Sequence, residues 1–246
     1  MQQSIAKLLS VAIVSMSPAC FVLTGCATAP TPMVSSTPAP SLDLLYNDAI
    51  HRSAVVAPSD IARHPLLTVD RSRRMTTVVT WTTASTASQY YPLSKTTVGV
   101  DVWVTLTPQV RDICATFPTE PAALTLRLQQ LLGLPPRPEQ RVFVVMEVPT
   151  ASLFRPCADP DPTKPACDWG FPPTETEKYK AWFADQVVGR YREAPDGYPW
   201  TRLGYTYDWA PGASGSGASE FVTRKGTPVI VRAKMPTADY CHTPQG

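Results

Sequence analysis

Histidine is scarce. His51, His64 and His242 are the only three in 246 residues, and none falls in a segment patterned as a strand or helix. The usual base of a hydrolase triad would therefore have to be assembled from irregular or terminal segments. No G-x-S-x-G elbow and no H-E-x-x-H helix occurs. Charge of one sign is lacking as well: 22 basic residues face 20 acidic ones, a net charge of +2. That balance supports neither nucleic-acid binding nor a polybasic membrane patch. Glycine is sparse at 12 residues. Its one cluster, Gly212-Ala-Ser-Gly-Ser-Gly217, resembles a phosphate loop only superficially. Ala218 and Ser219 follow where Lys and Ser/Thr are required, and a strand rather than a helix is expected next. No cofactor is implied.

Proline is abundant: 27 residues point to many turns and short elements. The N-terminus has the three parts of an export signal. Lys7 is its only charged side chain, Leu8 to Val22 is mostly apolar, and small residues then lead to Cys26. Pro18 and the length of the apolar run argue against a stable membrane span, which needs about 20 apolar residues. Leu23-Thr24-Gly25-Cys26 resembles the lipobox of bacterial lipoproteins. That resemblance implies that residues 1–25 are removed after Gly25, that the Cys26 thiol takes a diacylglycerol, and that the new amine is acylated, for instance with palmitate. Ala27, where an Asp would retain a lipoprotein at the inner membrane, implies the outer membrane. The expected partner is thus the membrane itself, through the lipid anchor, with the domain in the periplasm or at the cell surface. Residues 26–40 (Cys26 and ATAPTPMVSSTPAP) read as a tether, reaching some ~40 Å if extended.

With Cys20 discarded and Cys26 lipidated, Cys114, Cys157, Cys167 and Cys241 remain. Four cysteines in an oxidising compartment read as two disulfides, with three possible pairings. Cys157–Cys167 is favoured because it closes the Pro-rich segment between them, and Cys114–Cys241 then ties the middle of the domain to its C-terminus. The spacings fit no common zinc pattern, and no metal is expected.

Residues 41–74 read as irregular, apart from a short helix over Leu42–Ile50. The domain is expected from 75 to 246. Met75 to Thr82 and Val98 to Leu106 alternate as strands. Thr119, Glu120 and Pro121 open a helix whose stripe is Leu124, Leu128, Leu131 and Leu132, with Gly133 as its stop. Val142 to Val148 is apolar on both faces and reads as a central strand. A second helix is expected over Thr174–Arg192, and a strand over Leu203, Tyr205, Tyr207 and Trp209. Glu220–Arg224 and Pro228–Lys234 read as a hairpin around Lys225-Gly226. The whole is an α+β domain: a mainly antiparallel sheet of about five to six strands with two packed helices, stapled by disulfides.

Candidate site residues come from the stretch Tyr198 to Trp209. Tyr205, Tyr207 and Trp209 alternate as core does. Tyr198, Trp200 and Arg202 are left as candidate ligand-binding residues, of the kind that stack on sugars or anchor protein partners. Asp159, Asp161 and Asp168 lack the ladder of a calcium loop. Glu147 is the one acid on an apolar strand, and Arg155 or Arg202 is its expected partner. The expected role is a non-enzymatic binding or scaffolding module for an envelope protein or cell-wall glycan. The alternative is a hydrolase of envelope polymers using Glu147 and Asp208.

Overall fold

A computed structural model describes residues 39–61 and 65–243. The export signal, Cys26 and His64 lie outside the described residues. The described residues from Pro40 onward form one compact unit. Helix α1 (Leu42–Ser53) is part of it, burying Tyr46, Ala49 and Ile50 against Trp209. Ser41 caps that helix by accepting from the Leu44 amide. The Tyr46 hydroxyl, fully buried, faces the carbonyls of Gly133 and Gly197 at 3.3 and 3.1 Å. Tyr46→Phe is expected to cost about 1 kcal/mol in urea unfolding; an unchanged midpoint would mean that α1 is not anchored there.

After α1 come α2 (Pro58–Ile61), β1 (Met75–Thr83), α3 (Ala84–Tyr90), β2 (Lys95–Thr97), β3 (Val102–Leu106), α4 (Gln109–Cys114) and α5 (Pro121–Leu131). Next are β4 (Arg141–Pro149), β5 (Leu153–Phe154), α6 (Glu177–Arg190), β6 (Phe221–Thr223), β7 (Pro228–Pro236) and α7 (Thr237–His242). The fold is α+β. Its sheet is antiparallel with seven strands, in the order β2-β7-β4-β1-β3-β6-β5. β4 is central, paired along its length with β1 and β7, as its two-sided apolar sequence requires.

The Lys225-Gly226 hairpin does not exist: β6 and β7 do not pair with each other. They are two halves of one bent strand. The register of β2 on β7 (Thr97 opposite Pro228) continues without a slip into that of β3 on β6 (Val102 opposite Thr223). Between the halves, the Val98 amide donates to the Thr227 carbonyl and the Gly226 amide to the Val98 carbonyl. Val98 to Asp101 and Arg224 to Thr227 therefore form a shared corner at which the sheet curls back on itself. Lys225 donates its amide to the Asp101 carboxylate there. The corner also explains why β3 starts at Val102: Val100, in the bend, is 65% exposed.

The curl gives the sheet a concave and a convex side. Val78, Val104, Val144, Met146, Leu153, Phe221 and Val231, drawn from six strands, pack on the concave side. The convex side carries Val79, Trp81 and Phe143, covered by α4, α5 and α7. Farther along it, Val222, Phe154 and Trp103 meet Tyr179, Trp182 and Phe183 of α6. The N-cap of α5 is Glu120 rather than Thr119, its carboxylate accepting from the Ala122 and Ala123 amides with Pro121 at the first helical position. Those two amides hold the Glu120 carboxyl below the usual range. Gly133, at φ +65°, ends α5 with its own amide on the Gln130 carbonyl and the Leu134 amide on the Gln129 carbonyl. Capping by Thr176 starts α6 at Glu177, and the helix ends at Arg190, within the expected 174–192.

Both disulfides are present, Cys114–Cys241 and Cys157–Cys167. The second closes a loop around fully buried Arg155. That guanidinium donates to the carbonyls of Gly204, Leu67, Pro162 and Lys164 and lies over the Phe221 ring. Burial pulls Arg155 down to about 10. Gly204, at φ +75°, is required here, because a Cβ would come within 2.5 Å of the Arg155 side chain. Arg155→Met strands several buried carbonyls and is expected to cost about 3 kcal/mol. A loss below about 0.5 kcal/mol in chemical denaturation would contradict this role.

Candidate ligand-binding cavity

A cavity of about 250 Å³ opens on the convex side of the sheet. β1 and β3 supply its floor: Val79 pairs with Thr105, with Trp81 and Trp103 two residues along each strand. Gly133 and Leu134 at the end of α5 form one wall. Arg190 of α6, with Tyr198 to Trp200, forms the other. Glu220 enters just before β6; carried one step on, the β3–β6 register sets it opposite Thr105.

Ten buried side-chain polar atoms among the described residues have no hydrogen-bond partner, and three belong to residues of this lining: Thr105 Oγ1, Trp200 Nε1 and Glu220 Oε2. Each such group normally costs about 1–3 kcal/mol; these three atoms have almost no accessible surface and lie behind the cavity wall rather than in it. Thr105 and Trp200 are 6% and 4% exposed, held rigidly by the strand and by packing against Trp103 and Phe183. Burial pushes the Glu220 carboxyl up to about 8, against the opposing pull of Arg190 and Arg155.

Arg190 is aimed by its neighbours. Its Nε and Nη2 both donate to Gln186 Oε1, at 3.2 and 2.9 Å. The guanidinium lies between the rings of Trp103 (4.7 Å) and Tyr198 (5.1 Å). Desolvation lowers its pKa, and no carboxylate forms an ion pair with it among the described residues.

Of the three residues singled out in the sequence, Tyr198 and Trp200 line this cavity and Arg202 does not. Arg202, at φ +60°, donates to the Ala54 carbonyl at 2.6 Å and lies over Tyr191, tying α1 to the loop. The expected strand over Leu203–Trp209 is absent; only single bridges occur, Cys157 with Leu203, Trp200 with Thr206 and Tyr205 with Ser219. The left-handed turn at Arg202-Leu203-Gly204 breaks the ladder, and the aromatics are buried from a loop instead.

The acids suspected of chemistry are engaged elsewhere. Glu147 pairs with Arg232 at 2.6 Å, on the neighbouring strand, rather than with Arg155 or Arg202. Asp208 forms a two-pronged pair with Arg127 at 3.1 and 2.7 Å. Neither lines the cavity. Asp159 pairs with Lys164, and the Asp161 carboxylate accepts from the Thr163 amide and hydroxyl. No group of three or more His, Cys, Asp or Glu among the described residues is placed to hold a metal. No helix among them is long and apolar enough to cross a membrane.

Glu220 and Arg190 carried no sequence signal beyond one alternation: Glu220 shares a face with Val222, whose neighbours on the convex side are aromatic. Comparison with known proteins found no family model, no characterised relative and no solved structure that matches the chain.

Proposed function

We propose that the protein is a lipoprotein of the bacterial envelope, held at the outer membrane through Cys26, whose domain is a non-enzymatic module that binds a compact envelope-derived ligand in the Glu220 cavity. The placing of Arg190, held between two aromatic rings without an ion pair among the described residues, beside Glu220 in one aromatic-walled space carries the binding part. The resemblance of Leu23-Thr24-Gly25-Cys26 to a lipobox supports the anchor. The cavity is slightly below the range of roughly 300–1,000 Å³ usual for drug-sized ligands, which suits one ring or one short residue of a cell-wall polymer rather than a protein surface.

Hydrolysis is the second reading, favoured by one observation: an acid held protonated near neutral pH suits a general acid. Against it, Glu220 is the only carboxyl in the lining, whereas glycoside hydrolysis uses a pair in most families.

The test is retention of soluble fragments from an enzymatic digest of cell envelope, read by mass spectrometry, on the full chain and on Thr105→Leu, which fills the floor. The wild type is expected to retain a defined fragment with its mass unchanged and the variant to lose it. Equal retention by both would remove the cavity from the account. Recovery of a cleaved product would replace binding with hydrolysis.

A further inference from the structure

Resting on the reading of the cavity as a ligand site, we propose that its ligand presents a carboxylate, which pairs with Arg190 beside Glu220. The inference follows from which partners are missing. A guanidinium can only donate, so a ligand group that meets it must be an acceptor. Arg190 has a neutral amide and two aromatic rings for neighbours and no ion pair among the described residues. Cations removed from water are usually paired, and a planar guanidinium matches a carboxylate in particular.

Glu220 does not serve as that counter-charge near neutral pH, because desolvation keeps it largely protonated. The charged groups acting on it are Arg190 from α6 and Arg155 from the segment after β5, and those acting on Arg190 are Glu220, Tyr198 and Tyr46. With Glu220 neutral, the cavity carries the single positive charge of Arg190. A cationic ligand would be repelled, and a neutral saccharide would leave the cation unmatched. An arriving carboxylate makes ionisation of Glu220 harder still. Binding should therefore hold while Glu220 keeps its proton and weaken as pH rises through about 8.

A carboxylate of this kind could come from a peptide C-terminus or from a sugar acid, and calorimetry on the full chain in detergent micelles separates the sources. The probes are N-acetylalanine and its amide, and N-acetylmuramic acid with neutral N-acetylglucosamine. One of the two acids is expected to bind about tenfold or more tighter than its neutral counterpart, and that acid names the source. Its affinity should fall about tenfold between about pH 6 and about pH 9. Arg190→Gln should erase the preference; because that variant could also unfold, the acid-against-neutral comparison on the wild type decides by itself. Neutral probes binding as well as acids would overturn the carboxylate while leaving a ligand cavity. Binding by none of the four would also overturn it, and the digest experiment would then judge the cavity separately.

Discussion

Replacing Cys114 and Cys241 together by alanine is expected to lower the stability of the domain by about 5 kcal/mol, the largest effect of any change considered. The bridge spans 127 residues. In the chain-entropy account, a cross-link over a loop of that length restricts the unfolded chain by about that amount, against about 3 kcal/mol for the Cys157–Cys167 loop. The native side adds its own dependence. The bridge holds α7 against α4, so that Tyr240 stacks on Phe143 at 3.9 Å and Arg111 lies over Tyr240 while donating to its carbonyl. Freed of the bridge, α7 is a six-residue helix at the end of the chain, too short to persist by itself. Alanine rather than serine keeps these fully buried positions apolar. Urea unfolding of the double variant checks the figure; a loss under about 2 kcal/mol would mean that packing of α7, not the cross-link, secures this layer.

The second large effect is on pH dependence. Glu220 has its folded-state pKa raised from 4.5 to about 8. Below about 4.5, folded and unfolded chains are both protonated there and burial of the acid carries no pH-linked cost. Between 4.5 and 8 the unfolded chain loses its proton while the folded one keeps it, so stability falls with rising pH, by on the order of a few kcal/mol. Above about 8 both forms are ionised and the decline ends. Glu120, Asp70 and Asp161 act in the opposite sense, their carboxyls being held below the usual range, so stability linked to them is lost as pH falls through their folded values. Glu220→Gln isolates the one group: the difference between variant and wild type should be small near about pH 4 and grow steadily towards about pH 8. A flat difference across that range would show that Glu220 is ionised in the folded protein.

Local rules made much of this fold legible. β4 reads as central because both of its faces are apolar; α5 reads from its leucine stripe and from Gly133, whose positive φ the stop requires. The disulfide pairing followed from which segment a short bridge could usefully close. What misled was non-local. Lys225-Gly226 between two β-branched runs has the composition of a hairpin turn, yet the same two residues serve a corner, and only the partner strand distinguishes the two. Alternation of Leu203, Tyr205, Tyr207 and Trp209 reported burial correctly for most of them but not a ladder, because the backbone is left-handed at Arg202 and at Gly204, the latter packed on Arg155.

The cavity was half legible. Tyr198 and Trp200 stand out by composition, whereas Glu220 and Arg190 acquire their character only when the curl of the sheet and the end of α6 bring them together. A lone acid before a strand and an arginine in the last turn of a helix each have ordinary readings, the second as a complement to the helix dipole.

The most direct test of the cavity as a ligand site is the indole N–H resonance of Trp200, in a two-dimensional nitrogen–proton spectrum of the full chain, on addition of the envelope digest. Six tryptophans make the assignment tractable with a Trp200→Phe reference. The Trp200 signal is expected to shift as a ligand packs against the side chain in the cavity wall, while that of Trp169, half exposed and outside the lining, stays in place. Fragment binding with Trp200 unmoved would contradict this expectation.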